Sequence, residues 1–405
     1  STFASSFIWG INTLFLLDAG LTITEAFTAN AFFTAGQVIF EIPTGIVADT
    51  RGRRTSFLLG TATLFATTIA YLWLWQIKGP FWAWAIVSAL LGLGFTFFSG
   101  ATEAWLVDGL KAAGFKKELD GVFAKGAIAT GIAMLTGTVA GGLVAQYTNL
   151  GVPYVMRIVA LGLTFLIAAF LMHDEGFTAK KRTSFFEEVR DVATESMEFG
   201  IRNAPIRWMM LSGFFNGGVA IFAFYAMQPY LLELYGQSDS YLIAGIAAAI
   251  VAGAQIVGGL LVPFTGRLFR RRTSLLIAGV MVSSVALFLI AVAGNFWIVL
   301  ILLAAWSIVF AATGPVRQTY VNGIVPSEQR ATVLSADNMF TSAGGVVSQP
   351  ALGKVAEVWG YPASYLGSAI FQALALPFLV LARRERAKSD PIDSAGLNVA
   401  SSQPS

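Results

Sequence analysis

Cysteine is absent from this sequence, histidine occurs once, and charge is scarce. Only 12% of the 405 residues are Asp, Glu, Lys or Arg, against roughly 25% in an ordinary soluble domain. Without cysteine the chain has no disulfide framework, thiolate nucleophile or cysteine metal site. The one histidine, His173, lies where an apolar run meets a charged stretch, which predicts an interfacial residue and not a metal ligand. Hydrophobic residues make up 56% of the chain, so its main solvent is lipid.

Sequence patterns that drive or catalyse reactions are also missing. No G-x-x-x-x-G-K-[ST] nucleotide-binding loop occurs, and the nearest fragment, Gly353-Lys354, is followed by Val355. No histidine cluster, Ser/His/Asp set or metal-ligand spacing is present. We therefore expect a protein that is not an enzyme, holds no cofactor or metal, and has no nucleic-acid partner.

Long apolar runs dominate what is present. A helix needs about 20 apolar residues to cross a bilayer, and we count twelve such runs, six before and six after a polar break at 173–205. The predicted spans lie near residues 2–18, 26–48, 55–77, 81–106, 121–147, 153–172, 206–233, 240–266, 273–294, 296–317, 331–353 and 360–382. We predict an all-α integral membrane protein whose twelve transmembrane helices form two six-helix halves related by pseudo-two-fold symmetry.

Basic residues give the predicted orientation, because lysine and arginine accumulate in loops that stay in the cytoplasm. All 26 of them except Lys78, Arg157 and Lys354 fall at the ends that this rule places inside. Both termini are then cytoplasmic and the membrane is the inner (plasma) membrane. The predicted parts are a first bundle at 1–173, a cytoplasmic linker at 174–205, a second bundle at 206–383 and a disordered cytoplasmic tail at 384–405.

The predicted linker contains a helix signal. Ser184 and Glu187 form a capping box ahead of periodically spaced apolar residues, a pattern typical of a helix start. We expect an amphipathic helix that lies on the cytoplasmic face of the membrane and ties the two bundles together.

One stretch of sequence repeats between the halves. RRTSFLLG at 53–60 recurs as RRTSLLIAG at 271–279, which places the second predicted span on the eighth. Such repeats are typical of transporters whose halves rock around a site near the midplane. The second copy lacks the acid of the first, because Arg267 stands where Asp49 would be.

The loop between the second and third spans carries the most specific motif. It reads GIVADTRGRRTSFLLG and, together with twelve spans and a central loop, it resembles the major facilitator superfamily over essentially the whole chain. EIPTG, SGATEAWLVD and VPSEQRATVLS resemble the drug and metabolite efflux branches. Ser88 and Thr138 depart from the efflux pattern, which has arginine and proline there. The motif residues are Gly45, Asp49, Arg51, Gly52, Arg53 and Arg54.

The resemblance implies a secondary active transporter that works by alternating access. Deep acids and abundant aromatic residues favour proton-coupled efflux, by antiport, of amphipathic or cationic small molecules, as in multidrug resistance carriers. The departures at 88 and 138 leave open an uptake carrier or facilitator for a small metabolite. A channel or a transporter-derived receptor is less favoured, because the switch loop is duplicated and no sensory domain is present. We expect a functional monomer in the lipid bilayer.

Polar residues within the spans are candidates for the substrate and proton pathway. The second span has Asn30, Thr34, Gln37 and Glu41 on one helical face, which predicts either a wall of a watery cavity or hydrogen bonds to neighbouring helices. Arg157, in the outer part of the sixth span, could snorkel or could meet an anionic substrate. Further candidates are Asn12, Glu103, Asn216, Gln228 and Asp337.

Acids and bases occur at one depth. Glu41, Glu103 and Asp337 are predicted in the cytoplasmic third of the membrane, at the level of Lys125 and Arg317. One hypothesis makes Glu41 or Glu103 a proton carrier. The other, which we favour because bases are available, makes these acids a gate that pairs with Lys125 or Arg317.

The resemblance also implies a latch at the motif loop. Asp49 would face the positive N-terminus of the eleventh span near Ala331. Asp108, at the inner end of the fourth span, would hold Arg53 or Arg54. These contacts would stabilise the outward-open state and break when the halves rock inward.

Asp49→Asn is therefore predicted to reduce turnover more than substrate binding, because the latch acts on the conformational change. Transport rate in proteoliposomes, compared with ligand affinity in detergent, gives the measurement. Equal loss of both would indicate a folding defect instead.

Overall fold

Helices build the whole of the described structure. The computed structural model describes residues 2–115, 119–177, 194, 200–326 and 330–392; the predicted capping box at Ser184 and Glu187 lies outside these ranges. The fourteen helices found in these ranges are α1 (Thr2–Trp9), α2 (Asn12–Asp18), α3 (Ile23–Arg51), α4 (Arg53–Ile77), α5 (Phe81–Thr96), α6 (Ala101–Ala112), α7 (Asp120–Tyr147), α8 (Val152–Leu171), α9 (Ala204–Tyr235), α10 (Tyr241–Leu268), α11 (Arg272–Val292), α12 (Phe296–Asn322), α13 (Arg330–Ala373) and α14 (Ala375–Arg384).

Ten helical segments of the described chain are long and apolar enough to cross a membrane. They cover every predicted span except the first, which is broken into α1 and α2. The eleventh and twelfth predicted spans fall in one segment, Val333–Arg384, whose 52 residues are long enough to cross twice. The turn within it is at Gly360, which has a φ of 83°. The total of twelve spans stays a prediction.

A glutamine side chain repairs the break in the first predicted span. In a continuous helix the amide of Thr13 would donate to the carbonyl of Trp9, but the chain turns at residues 10 and 11. Instead, Gln228 of α9 accepts from the Thr13 amide at 2.9 Å and donates to the Trp9 carbonyl at 2.7 Å. Lipid offers no partner for freed backbone groups, so the predicted pathway residue Gln228 has a structural role here.

The chain divides into two compact units. The first comprises Ser1–Ala193, Phe224–Ala249 and Val346–Val358, and the second comprises Thr194–Ala223, Ile250–Gly345 and Trp359–Ser405. One part of the seventh predicted span and one part of the eleventh therefore pack with the first unit, although the sequence-based division places both in the second bundle.

Aromatic side chains fill the core of the first unit. Phe15 stacks on Tyr154 with ring centroids 3.8 Å apart, and Tyr71 and Trp84 meet edge to face at 5.0 Å. Such pairs add about 0.5–1.5 kcal/mol each beyond the burial of their area. In the second unit the buried cluster is mainly aliphatic and surrounds Tyr320.

Helices α3 and α5 pack with their backbones in contact. A Cβ on Gly36 would lie 2.2 Å from the carbonyl oxygen of Ala89, and a Cβ on Gly92 would lie 2.3 Å from that of Phe33. Small residues permit this approach between membrane helices. Gly36 and Gly92 therefore set the spacing of the second and fourth predicted spans.

The segment after the last helix is bound to the second unit. Asp390 is 2% exposed, and its carboxylate accepts from the Thr273 amide at 2.9 Å while its carbonyl accepts from the Arg272 amide at 2.8 Å. Residues 385–392 are thus ordered, which corrects the predicted disordered tail over this stretch, while residues 393–405 lie outside the described ranges. The first amides of a helix need acceptors, and this segment supplies them to α11.

Gly36→Ala is expected to lower the unfolding temperature of the purified protein in detergent. The added methyl must displace the Ala89 backbone, at a cost on the order of 1–3 kcal/mol. That exceeds the gain of about 1 kcal/mol in helix propensity. Gly259→Ala in α10 is the matched control, because no atom lies within 4 Å of a Cβ there, and it should be neutral or stabilising. Equal stability of the two variants would contradict the backbone contact.

Candidate functional site

The motif loop joins α3 to α4 at Gly52, which lies against the carboxylate of Asp174. Gly52 has a φ of 99°, and a Cβ there would lie 2.1 Å from Oδ2 of Asp174, so only glycine fits. The other carboxylate oxygen of Asp174 accepts from the backbone amide of Arg54 at 2.7 Å. Arg51 is exposed, and Gly45 has open space beside it. The loop is therefore held by an acid that follows α8.

The loop's remaining charges pair locally. Asp49 lies 2.7 Å from Arg53, one turn along the chain, and the Arg54 guanidinium donates to a backbone carbonyl of α8 at 2.6 Å. The predicted contact of Asp108 with either arginine is absent, because both arginines have these nearer partners; within the described residues Asp108 makes no ion pair. The side chains around Ala331 lie outside the described part, so the second latch contact stays a prediction.

The same arrangement recurs in the second unit. The Asp174 carboxylate accepts from the amide of Arg54, and the Asp390 carboxylate accepts from the amide of Thr273, one residue beyond the counterpart of Arg54 in the repeat. Arg272, the counterpart of Arg54 in the repeat, likewise donates to a carbonyl of the segment that holds the acid. The repeat therefore extends beyond the RRTS motif to an acid that follows α8 in the first unit and α14 in the second.

A chain of hydrogen bonds crosses the first unit beside the α1–α2 break. Tyr154 donates to Asn12 at 3.0 Å, and Asn12 donates to the side chain of Asn30 at 3.1 Å. Thr34 donates to the Asn30 carbonyl and accepts from Gln349, both at 3.1 Å. Asn12, Asn30 and Thr34 are 7%, 3% and 1% exposed. They therefore bond to neighbouring helices and do not face open water, which corrects the cavity interpretation for this end of the stripe.

The inner end of the stripe is less buried. Gln37 and Glu41 are both partly exposed, and Glu41 accepts from the Ser99 hydroxyl at 2.5 Å. Glu103 and Lys125 are exposed, and neither forms an ion pair with another described residue. The predicted pairing of Glu41 or Glu103 with a deep base is therefore absent in this structure.

Arg317 and Asp337 form an ion pair in the second unit. Two guanidinium nitrogens of Arg317 donate to the two carboxylate oxygens of Asp337, one of them at 2.5 Å. The same guanidinium donates to the carbonyl of Met209 at 3.1 Å. Asp337 is 4% exposed. Charge-assisted, two-pronged contacts of this kind are the strongest hydrogen bonds in proteins.

This ion pair borders a cavity of about 330 Å³. Asn216, Gln318, Asn338 and Thr341 also line it, and Asn216 accepts from Gln372 at 2.7 Å. Amide and hydroxyl groups beside an ion pair can fix the orientation of a small polar solute. Within the described residues, no group of histidine, cysteine or acidic side chains is suited to hold a metal ion.

A family model described as Major Facilitator Superfamily matches residues 1–270 and 240–404. The chain belongs to the major facilitator superfamily. This multi-pass membrane family consists of transporters and not of enzymes, so the resemblance drawn from the motif loop is confirmed, although the efflux branch is not specified.

Solved structures of this superfamily have the same fold. A nucleoside transporter, NupG, is 15% identical, with 94% of this chain and 96% of that chain covered and a TM-score of 0.74. A D-xylose–proton symporter is 15% identical, with 93% and 95% covered and a TM-score of 0.69. A mutant of the peptide transporter POT in complex with sulfate is 12% identical, with 96% and 93% covered and a TM-score of 0.74. No curated protein sequence matches.

Sequence reasoning missed three residues of the site. Asp174 follows α8 and Asp390 follows α14. The repeated RRTS sequence at the starts of α4 and α11 was a signal that both helix starts would need an acceptor for their first amides. Tyr154 gave no signal, because its bond to Asn12 joins distant parts of the chain. Of the predicted residues, the structure brings together Asn12, Asn30 and Thr34. It separately brings together Asn216, Arg317 and Asp337, and pairs Asp49 with Arg53.

Removing one member of the Arg317–Asp337 pair is expected to lower the stability of the folded protein. Asp337→Asn or Arg317→Gln alone leaves a charge without its partner, at a cost on the order of 3 kcal/mol, reduced because the Arg317 side chain is 19% exposed. The double variant should recover most of this loss, since two amides can bond to each other. Unfolding temperatures of the four proteins complete the cycle; additive losses would show that the pair is not coupled.

Proposed function

We propose that the protein is a gradient-driven secondary transporter that moves small molecules by alternating access. The observation that carries the proposal is the Arg317–Asp337 pair beside a cavity of about 330 Å³. Ionisable residues inside a membrane bundle mark substrate and ion pathways by default. Membership of the superfamily supports a carrier over a channel. The proposed setting is the inner (plasma) membrane, with both termini cytoplasmic and a functional monomer.

Asp337 is the carboxylate that takes up the coupling proton in this proposal. Protonation removes its charge, so the Arg317 guanidinium loses its two-pronged partner and its donors become available to a substrate. Glu41, held by Ser99 in the first unit, is the alternative carrier. Because Arg317 and Asp337 lie on neighbouring helices of one unit, the pair acts as a local switch.

The proposed substrate is a small polar solute. Amide and hydroxyl side chains line much of the polar part of the cavity and suit a solute that forms hydrogen bonds. The preference for cationic, amphipathic compounds rested on an excess of deep acids, whereas Arg317 neutralises Asp337. Transporters of nucleosides, xylose and peptides share the fold. Efflux of cationic compounds therefore ranks second.

Transport in proteoliposomes with an imposed pH gradient tests the proposal. Wild-type protein is expected to accumulate polar solutes from a panel of neutral metabolites, anionic metabolites and cationic dyes. The Asp337→Asn, Arg317→Gln double variant should lose this accumulation, because a neutral side chain cannot bind and release the proton. Glu41→Gln is the matched control and should retain it.

Two outcomes would contradict the proposal. If the Glu41→Gln variant lost accumulation while the double variant kept it, the coupling residue would be Glu41. If no solute in the panel responded to the gradient, the protein would not be a proton-driven carrier.

A further inference from the structure

Arg157 is a buried arginine that the proposed transport cycle does not yet use. It lies in α8 of the first unit and is 1% exposed. Its Nε and Nη2 atoms are buried and make no hydrogen bond, and within the described residues no acid pairs with it. Arginine stays protonated in proteins, so the site holds a positive charge, and two of its three donor nitrogens are buried without an acceptor.

The groups around Arg157 do not compensate its charge. The Phe95 ring centroid lies 6.0 Å from the guanidinium carbon, at the outer limit of a cation–π contact. Its electrostatic neighbours are the hydroxyls of Tyr71, Tyr154 and Tyr225, which are neutral groups. Tyr71 is bonded to Ser88 at 2.6 Å, and the Tyr154 hydroxyl donates to another partner. A buried charge without an ionic partner is costly, so the site is complete only with an anion.

The side-chain amide of Asn30 also has a buried donor without an acceptor. Tyr154 leads through Asn12 to Asn30 by two hydrogen bonds. The Nδ2 atom of Asn30 is buried and also lacks a partner. Asn30 lies at one end of this hydrogen-bonded chain, and Tyr154, at the other end, is an electrostatic neighbour of Arg157. Arg157 and Asn30 therefore both have buried donors without acceptors. A ligand that satisfies them must bring oxygen acceptors and a negative charge.

One of the electrostatic neighbours of Arg157 belongs to the seventh predicted span. Tyr225 of α9 is an electrostatic neighbour of Arg157, and its carbonyl accepts from the Thr13 hydroxyl at 3.0 Å. The side chain of Gln228 fixes the same helix to the α1–α2 break. These contacts, all of them within the first unit, hold the Tyr225 region of α9 against the α1–α2 break.

We propose that Arg157 binds the carboxylate of a small organic anion, which is a transported substrate. A carboxylate presents two coplanar oxygens that match the guanidinium fork. The Phe95 ring, whose centroid lies 6.0 Å from the guanidinium carbon, is the nearest apolar group for the rest of the molecule. The assignment rests on the proposed function, and it narrows the substrate class from polar solutes to organic carboxylates.

Calorimetric binding to the full chain in detergent tests the assignment. The probes are benzoate and acetate, each paired with its neutral amide, and sodium nitrate at equal ionic strength. Wild-type protein should bind a carboxylate and not the matching amide. Arg157→Gln should weaken carboxylate binding by on the order of tenfold or more, since a charged hydrogen-bonding partner is lost. Arg383→Gln, which removes an exposed charge from α14, is the matched control and should bind as the wild type does.

Arg157→Lys provides a second variant in case the glutamine variant does not fold. It keeps the charge but loses the planar fork, so carboxylate affinity should fall while the protein remains folded. The assignment fails if carboxylates bind equally well to wild type and an Arg157 variant, if amides bind as tightly as carboxylates, or if neither carboxylate binds the wild type. Binding of nitrate alone would mean an inorganic anion site and would also overturn it.

The binding measurement needs no gradient and therefore separates the two proposals. Protein that binds carboxylates through Arg157 but accumulates nothing under a pH gradient would contradict secondary transport alone. If the protein accumulates solutes but binds carboxylates equally well in the wild type and the Arg157 variants, only this assignment would be contradicted.

Discussion

Backbone hydrogen bonding in a hydrocarbon environment is the constraint on which the rest of this structure depends. Water cannot reach a freed carbonyl or amide there, so each interruption of a helix needs a partner from elsewhere in the chain. Gln228 bridges the break in the first predicted span. Ser56 donates to the Phe97 carbonyl at 2.7 Å, where α5 gives way to α6. Helix packing follows from this, because each repair fixes one helix against another.

Charge inside the bundle is handled in two different ways. Arg317 has a carboxylate and a backbone carbonyl as acceptors, so its charge is balanced without a ligand. Arg157 has aromatic faces and neutral hydroxyls around it. In the proposed transport cycle the first arrangement is a switch operated by a proton. In the proposed binding site the second leaves guanidinium donors for a negatively charged ligand. The two arginines belong to different units of the chain.

The sequence predicts the helices well because a helix that crosses lipid must be a long run of mainly apolar residues. Runs of about 20 apolar residues located eleven predicted spans that fall within the ten long apolar helical segments of the described chain, and the motif around Asp49 led to the superfamily. The break at residues 10 and 11 was not predicted, because an apolar run looks the same whether its helix is continuous or broken. The turn at Gly360, in contrast, falls where the eleventh and twelfth predicted spans were separated. Periodicity alone could not decide whether Asn30 and Thr34 face water or neighbouring helices.

The candidate site was harder to predict because its contacts are long-range. Arg317 and Asp337 share a depth, and their pairing was one of several allowed by that depth. Tyr154 and Asn12, in contrast, lie on different helices of the first unit, and nothing in either local sequence connects them. Asp390 was assigned to a disordered tail from the composition of that segment. Composition contains no information on whether a residue caps the start of a distant helix, as Asp390 does for α11.

The paired acids have a consequence for the order in which the protein is made. Each acid follows the last helix of its half: Asp174 comes after α8 and Asp390 after α14. Synthesis runs from the N-terminus, and units fold as they are completed. The start of α4 therefore lacks its acceptor until residue 174 has been made, and the start of α11 lacks its acceptor until residue 390 has been made. A chain interrupted just before Asp390 would contain all fourteen described helices and still lack the acceptor for the Thr273 amide at the start of α11.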